Sequence, residues 1–278
     1  MPLPAGPVVG TCGFGYPEWR GRFYPPELAP GEWLGFYAQV FEAVELDGTF
    51  YRPPEPAQVA VWAESLPDRF AVAAKVPRAV THEARLEGGA AAGMLRAFAR
   101  ALDPLGDRLL AVVLQLPPSL DAGEGRERLA RLLGGRPDGL PVVVEVRHRS
   151  WDRPWLAELL DAAGAGLVLA DRPGQPSWPE QGARPGAVPY LRLLGDRRAT
   201  PVIGRPVRDR AADLDRWAAL LAGGATRGTA RRPAAAFANN RFEGAAFDTA
   251  AALRRRLGQR PPEPRELWPA PPLPGLEP

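Results

Sequence analysis

Short apolar segments that end in polar residues recur along this chain, with helical segments between most of them. In Val142–Val146, four valines form a strand of the kind that is covered on both faces, and Glu145 interrupts it. A bare carboxylate in a core is costly, so Glu145 must be paired or must face a polar cavity. Arg147 and His148 follow directly, which places that cavity at the carboxyl end of the strand.

The same pattern predicts eight strands and the helices that alternate with most of them. The predicted strands are Val8–Cys12, Ala43–Leu46, Phe70–Ala74, Leu109–Leu114, Val142–Val146, Gly166–Ala170, Pro189–Leu193 and Ala234–Ala238. No change of composition separates these segments, so we predict a single (β/α)₈ barrel of the triosephosphate isomerase (TIM) type over residues 1–258. A doubly wound open sheet is the alternative, and it would hold its ligand at a topological switch point.

Residues 259–278 differ from the rest of the chain, because eight of these twenty residues are proline. This composition favours an extended tail over a packed element. Trp268 is the residue that we expect to anchor the tail to the surface of the barrel.

The composition limits the kinds of site and the location. No run of about 18 apolar residues and no signal-peptide pattern is found, so we expect a cytoplasmic protein without a membrane partner. The single cysteine, Cys12, excludes an internal disulfide and a cysteine-built zinc site. A metal, which nothing in the sequence requires, would rest mainly on carboxylates, and these favour magnesium or manganese over zinc.

Lysine occurs once, since Lys75 is the only lysine among 35 lysines and arginines. A position that stays lysine in an arginine-rich chain favours a need for a compact ammonium group with an adjustable pKa. Chance is the other explanation. The arginines around 126–131 and 254–256 are interpreted as solvated helix faces, although binding to an acidic polymer stays an alternative.

In a TIM-type barrel, the reactive site is built where the carboxyl ends of the strands meet. Seven of the eight predicted strands deliver polar side chains to that rim. They are Glu45, Asp47, Lys75, Gln115, Glu145, Arg147, Asp171, Arg192, Asn239 and Asn240. We therefore predict a polar site at this end of the barrel.

The catalytic candidates are Glu45, Glu145 and Lys75. Because the two glutamates lie on strands far apart in the barrel order, they are suited to act as general acid and general base on opposite sides of a substrate. The alternative is that one or both are structural and pair with arginines. Lys75 is either a Schiff-base nucleophile or an electrostatic partner for an anion, and a nearby Glu45 favours the second role.

The remaining candidates are predicted to bind substrate. Arg147 and Arg192, with Asn239 and Asn240, offer planar forks and amide donors that suit a phosphate or carboxylate group. His82 and His148 could shuttle protons or serve as structural donors. The aromatic candidates for stacking on a sugar or base, some of which must simply pack, are Tyr16, Trp19, Tyr51 and Trp151.

Several short blocks, in order along the chain, form a recognisable set. They are Gly10–Phe14, Tyr16 with Trp19, Gly21 with Phe23–Pro25, Val44–Asp47 with Thr49–Arg52, Lys75 with Thr81–His82, Gln115–Pro118, Glu145–His148 with Ser150–Trp151, and Asn239–Asn240. Together these blocks resemble the YecE-like family, which is catalogued as a domain of unknown function. The resemblance implies a TIM-type barrel and brings no settled activity.

This chain also departs from the pattern of the family that it resembles. Cys12 stands where serine is usual, and Phe14 where tryptophan is usual. Asp47 replaces a common asparagine, and Leu194 replaces a common histidine. The added carboxylate and the missing imidazole indicate that the substrate need not be identical across the family.

The leading functional hypothesis is an enzyme that acts by acid–base chemistry on a polar, anionic substrate containing phosphate or sugar. Hydrolysis or isomerisation is favoured over redox chemistry. In a variant of this hypothesis, Glu45, Asp47, Glu145 and Asp171 bind magnesium or manganese. The competing hypothesis is a nucleic-acid or nucleotide binding protein without catalysis, in which arginines contact phosphates and aromatic rings stack on bases.

Overall fold

The computed structural model describes residues 3–174, 189–224 and 232–269. Its centre is a closed barrel of eight parallel strands that pair in chain order, and the first strand also pairs with the last. The strands are β1 (Val8–Cys12), β2 (Ala43–Leu46), β3 (Ala71–Lys75), β4 (Leu109–Gln115), β5 (Val142–Glu145), β6 (Gly166–Asp171), β7 (Tyr190–Leu193) and β8 (Ala235–Ala238). This topology confirms the predicted (β/α)₈ barrel and excludes the open sheet.

Helices surround the barrel. They are α1 (Trp33–Val40), α2 (Pro56–Ser65), α3 (Gly88–Ala101), α4 (Ala122–Gly134), α5 (Pro154–Ala162), α6 (Ala211–Gly224), α7 (Asn240–Glu243) and α8 (Ala246–Arg256). Among the residues that the structure describes, no helix is long and apolar enough to cross a membrane.

Two helices begin at positions that their residues explain. α5 begins at Pro154, whose fixed φ suits the first turn of a helix. α8 follows the short α7 and begins at Ala246. Gly244 separates the two because it adopts a left-handed φ of 117°.

Side chains alternate between the inside of the barrel and the layer under the helices, as parallel strands require. The side chains that point into the barrel form an inner cluster. In this cluster, the small Ala43, Ala71 and Ala73 pack together with the larger Tyr190 and Phe237. Both tyrosine and phenylalanine rings are fully buried there, with their centroids 5.2 Å apart. The barrel is therefore filled at its amino end, which leaves its carboxyl end for polar groups.

The second core lies between the strands and the helices, and aromatic residues dominate it on the side of β1 and α1. Trp33, Phe36, Tyr37 and Val40 of α1 are all buried, as their helical spacing predicts. The Tyr37 hydroxyl donates to the Ala43 carbonyl at 2.9 Å and accepts from the Thr11 amide at 2.9 Å. This helix is thereby fixed to two neighbouring strands.

The predicted tail is described as far as residue 269, and residues 270–278 lie outside the described residues. A short 3₁₀ turn occupies Pro264–Leu267. The Trp268 indole donates to the Phe23 carbonyl at 3.2 Å, as expected for an anchor. The division of the chain at residue 258 stays a prediction.

Glycine at position 10 is required by the close approach of β1 and β2. An ideal Cβ at Gly10 would lie 1.9 Å from the Ala43 carbonyl oxygen. We expect Gly10→Ala to lower the free energy of unfolding by about 3 kcal/mol, because backbone atoms cannot move aside cheaply. Urea denaturation measures this loss. Gly15→Ala is the matched control, since nothing lies within 4 Å of its Cβ position, and an equal loss in both variants would contradict the packing argument.

Candidate active site

The inner face of the barrel changes from apolar to charged at the carboxyl ends of the strands. In β2, the alternation that turns Ala43 inward also turns Glu45 inward, and in β5 the same alternation follows Val143 with Glu145. Both carboxylates are completely buried. Charged groups in such a position need partners, and the opposite wall of the barrel supplies them.

Arg192 of β7 joins the two glutamates across the barrel. Its Nη2 lies 2.7 Å from Glu45 Oε1, and its Nη1 donates to Glu145 Oε2. The guanidinium is 3% exposed, so these are buried ion pairs with little solvent screening. One cation thus holds two carboxylates that come from β2 and β5.

The oxygens that Arg192 leaves free have partners of their own. Tyr190, two residues earlier on β7, donates its hydroxyl to Glu45 Oε2 at 2.8 Å. Arg147 donates from Nε to Glu145 Oε1 and from Nη2 to Gln115 Oε1 at 3.0 Å. The result is one continuous hydrogen-bonded network, which we call the arginine network: Glu45, Gln115, Glu145, Arg147, Tyr190 and Arg192.

Asp47 and Lys75 lie beside this network and outside its ion pairs. The β2–β3 register pairs Leu46 with Ala74, and continuing it by one residue brings Asp47 next to Lys75. Burial, followed by the negative charge of Glu45, raises the pKa of the Asp47 carboxyl. Burial, followed by the positive charge of Arg192, lowers the pKa of the Lys75 ammonium. The difference between the pKa values of Asp47 and Lys75 is therefore smaller than the difference between a free aspartate and a free lysine.

The Lys75 ammonium is held by an aromatic ring. Its Nζ lies 3.8 Å from the centroid of the Phe50 ring, and within the described ranges it forms no ion pair. His82 packs edge-on against the same ring at 5.0 Å, and burial together with the charge of Lys75 lowers the pKa of this imidazole. The Thr49 hydroxyl donates to the Lys75 carbonyl at 2.7 Å, which fixes the loop to the end of β3.

A cleft of about 600 Å³ opens from Asp47 toward solvent. Its walls come from the loops after β1 and β2 and from α2. The lining residues are Gly13, Phe14, Gly15, Tyr16, Leu46, Asp47, Gly48, Thr49, Arg52, Pro54, Gln58 and Trp62. This volume is in the range of small-molecule sites.

The loop after β1 comes close to Asp47 because of a glycine. Gly13 adopts a left-handed φ of 77°, and a Cβ there would lie 2.9 Å from Asp47 Oδ1. Tyr16, from the same loop, donates its hydroxyl to the Cys12 carbonyl at 2.7 Å and lines the cleft. Of the aromatic candidates, Tyr16 is the one that the structure brings to the cleft itself.

Asp171, a predicted rim residue, lies on the outer side of the barrel wall. Val168 of β6 faces inward, so Asp171, three residues later, faces the helices. Its carboxylate accepts from Arg210 Nη2 at 3.0 and 3.2 Å and from Trp217 Nε1 at 2.6 Å. These partners tie β6 to α6 and its preceding loop, which is a structural arrangement away from the arginine network.

Several other candidates have structural partners away from the cleft. The Trp19 indole is fully buried and donates to Asn240 Oδ1 at 3.0 Å, while Trp151 is fully buried and donates to the Leu120 carbonyl at 2.8 Å. The Asn239 side chain caps α7 through the Arg241 amide at 3.0 Å. These contacts give Trp19, Trp151 and Asn239 structural roles that do not require a ligand.

The last two candidates lie in loops. His148 accepts from the Ser150 amide at 3.2 Å and shares a hydrogen bond with its hydroxyl, so it stabilises the turn that leads to α5. Tyr51 is 77% exposed and packs edge-on against Phe50.

Tyr190 and Phe50 were not predicted as site residues, and neither were the cleft residues Arg52, Gln58 and Trp62. Tyr190 could have been found from the strand alternation, because it lies two residues before Arg192 and must face the same way. Phe50 could not, since its contact with Lys75 joins the loop after β2 to the end of β3. Within the described residues, no group of three or more histidine, cysteine, aspartate or glutamate side chains converges as a metal site. The proposed set of Glu45, Asp47, Glu145 and Asp171 is divided between the two faces of the wall.

Fold and site together define a TIM-barrel protein with a charged site at the carboxyl ends of its strands. More specifically, the chain belongs to the DUF72 family, because the family model described as "Protein of unknown function DUF72" matches residues 8–273. The YecE-like resemblance is thereby confirmed, since both names refer to one family.

Similar proteins agree with this assignment. A crystal structure of a DUF72 family protein from Thermotoga maritima is 27% identical, with a TM-score of 0.70 over 91% of this chain and 100% of that one. One from Enterococcus faecalis, at 17% identity and a TM-score of 0.70 over 91% of this chain and 96% of that one, shares the fold. The UPF0759 protein YunF of Bacillus subtilis is 28% identical over 150 residues, which span 52% of each chain, so the match covers about half of that relative.

Removing Arg192 is expected to leave two buried carboxylates without their shared cation. We predict that Arg192→Met lowers the free energy of unfolding by about 3–5 kcal/mol at neutral pH, as is typical when one partner of a buried ion pair is removed. Chemical denaturation measures the loss. Arg131→Met is the control, because that side chain is 69% exposed and its pair is worth less than about 1 kcal/mol. Similar losses in the two variants would contradict a buried network.

The variant Asp171→Asn tests whether Asp171 stabilises the outer side of the barrel wall or belongs to the site. We expect a loss of about 1–3 kcal/mol, because Arg210 and Trp217 lose a charged acceptor, while ligand binding in the cleft stays unchanged. Asp215→Asn is the control, since the Asp215 side chain also pairs with an arginine, Arg256, but is 68% exposed. Weaker ligand binding in Asp171→Asn at unchanged stability would instead assign Asp171 to the site.

Proposed function

We propose that this protein is an enzyme, a hydrolase or isomerase, that acts by acid–base chemistry on a small polar substrate bound in the cleft. The observation that carries the proposal is the adjacent pair of Asp47, which lines the cleft, and Lys75, with pKa values displaced toward each other. Such shifts are typical of groups that act as general acid and general base. Asp47 is assigned the role of general acid, and Lys75 is assigned the role of its basic partner.

The glutamates take a different role in this proposal from the one that the sequence favours. Glu45 and Glu145 each bind Arg192, so neither carboxylate is free to exchange a proton without breaking a buried ion pair. We propose that both glutamates position Arg192, whose positive charge acts on Lys75. Glu45 also places its own negative charge beside Asp47. Both therefore support catalysis without contacting substrate.

The substrate is proposed to carry an anionic group, such as a phosphate or carboxylate, next to a sugar-like body. Arg52 lines the cleft, and within the described part of the chain its guanidinium forms no ion pair. Arg147 and Arg192, in contrast, are engaged by the arginine network. Gln58 and Tyr16 add polar contacts, and Trp62 adds an apolar wall.

Asp47→Asn is expected to abolish turnover and to stabilise the protein at neutral pH. The raised pKa of Asp47 means that its charged form is penalised in the fold, and an amide removes that penalty, so we expect a gain of about 0.5–2 kcal/mol. The gain is complete above the raised pKa and disappears as pH falls toward the ordinary aspartate value of 3.8. Denaturation between pH 3 and 8 measures it.

The turnover test uses sugar phosphates and sugar acids in D₂O, followed by NMR. An isomerase exchanges a carbon-bound proton with the solvent, and a hydrolase releases phosphate. Asp68→Asn is the control for Asp47→Asn, because Asp68 is exposed and its replacement should change neither stability nor turnover. Wild-type rates in Asp47→Asn, or a loss of stability in that variant, would overturn the proposal.

A nucleic-acid or nucleotide binding protein without catalysis is the second candidate, and the exposure of Tyr51 favours it. A tyrosine that is 77% exposed beside Arg52 offers a ring for stacking and a charge for phosphate. Titration with single-stranded RNA separates the two candidates. Binding that weakens steeply with salt and requires Tyr51, with no turnover of any small molecule, would favour this candidate.

A further inference from the structure

Among the described residues of the inner rim, Lys75 is the basic side chain that forms no ion pair with a carboxylate. Arg147 and Arg192 both form ion pairs with the glutamates. The Lys75 Nζ instead lies over the Phe50 ring, 3.8 Å from its centroid, and the described residues offer it no ion pair and no hydrogen-bond acceptor. A lysine that is needed only as a fixed positive charge would be expected to bind one of the three carboxylates around it.

The surroundings of Lys75 oppose its protonation more than they support it. The charged and titratable groups that face it are Glu45 and Asp47 of β2 and its loop, Glu145 of β5, Arg192 of β7, and His82 on the turn after β3. Two of the carboxylates are bound to Arg192, which weakens their effect on Lys75. A lowered pKa increases the fraction of Lys75 that is neutral at a given pH, and a neutral amine is a nucleophile.

We propose that Lys75 is a covalent nucleophile that forms a Schiff base with a small polar aldehyde or ketone. This inference rests on the proposed function, because it uses Asp47, which lines the cleft, and Lys75 beside it. It makes the substrate class specific: a carbonyl compound with an anionic group near Arg52, such as an open-chain sugar phosphate or a 2-oxo acid.

The chemistry balances with the groups that are present. The Nζ lone pair forms a bond to the carbonyl carbon, and the oxygen takes up the proton that the nitrogen loses, which gives a carbinolamine. Asp47 then donates its proton to the hydroxyl, which leaves as water, while the nitrogen lone pair forms the C=N bond. The products are a protonated imine on Lys75 and the Asp47 carboxylate beside it, and no oxidant or reductant is needed. The imine can then accept the electrons of a neighbouring C–H or C–C bond.

Arginine could not replace Lys75 in this role. Its guanidinium stays protonated at any pH that proteins tolerate, so it has no free lone pair for attack on a carbonyl. In a chain where every other one of the 35 basic residues is arginine, this difference gives the single lysine a chemical reason. It also makes the experiment unusually clean, because one side-chain amine exists in the whole protein.

The experiment is reductive trapping of the full chain at pH 7 with glyceraldehyde 3-phosphate or pyruvate and sodium cyanoborohydride, followed by mass spectrometry of intact protein and peptides. We expect a single adduct on Lys75, separate from any on the terminal amine. The reference protein carries Lys75→Arg with Arg131→Lys, so that its only lysine is on an exposed helix face. Wild type should be labelled at least about tenfold faster than the reference, since a lower pKa raises the fraction of neutral amine.

Two further variants make the result decisive. Asp47→Asn should slow trapping at Lys75, because loss of water then lacks its acid. Phe50→Leu should not slow it, because the ring attracts the ammonium form of Lys75 and its removal leaves more of the amine neutral. Labelling of Lys75 no faster than the reference lysine would overturn the inference.

The outcomes also distinguish this inference from the proposed function. Turnover that requires both Asp47 and Lys75, together with an absence of adduct, leaves the proposed function and removes the covalent step. An adduct on Lys75 with no Asp47-dependent turnover of any sugar phosphate or sugar acid supports the nucleophile and removes the proposed function.

Discussion

The buried ion pairs of Arg192 with Glu45 and Glu145 are the interaction on which the carboxyl end of the barrel depends. Two carboxylates in a dry interior need a cation, and a cation there needs both of them. Tyr190, Gln115 and Arg147 then satisfy the remaining oxygens and donors. A network of this kind is not the most stable way to fill a barrel, because apolar side chains of similar volume often do as well.

The network also acts on its two neighbours. Burial, followed by the charge of Arg192, lowers the pKa of Lys75, and burial, followed by the charge of Glu45, raises the pKa of Asp47. Under the proposed function, the charges on β2, β5 and β7 thus prepare an acid in the loop after β2 and a base at the end of β3, which is the pre-organisation that acid–base catalysis requires.

The barrel and most of its polar rim could be predicted from the sequence, because strand length and alternation carry that information. Asp171 shows the limit: a polar residue at a strand end faces the site only if its position matches the inward residues of that strand, and Asp171 does not. Trp19 and Trp151 show a second limit of prediction from sequence. A tryptophan that is buried with a hydrogen-bond acceptor and one that stacks on a ligand cannot be distinguished in the sequence. The Phe50–Lys75 contact depends on how the loop after β2 folds over the end of β3, which no local pattern specifies.

The cleft approaches the site from the side of the loops after β1 and β2 and of α2. Leu194 after β7 packs against the inner cluster. Of the groups to which a role is proposed, Arg52 and Asp47 line this cleft, whereas the residues of the arginine network do not. An asparagine at position 47, which is common in the family that the sequence resembles, would keep a side chain of similar shape there and would lose the carboxyl group that the proposed function uses as its acid.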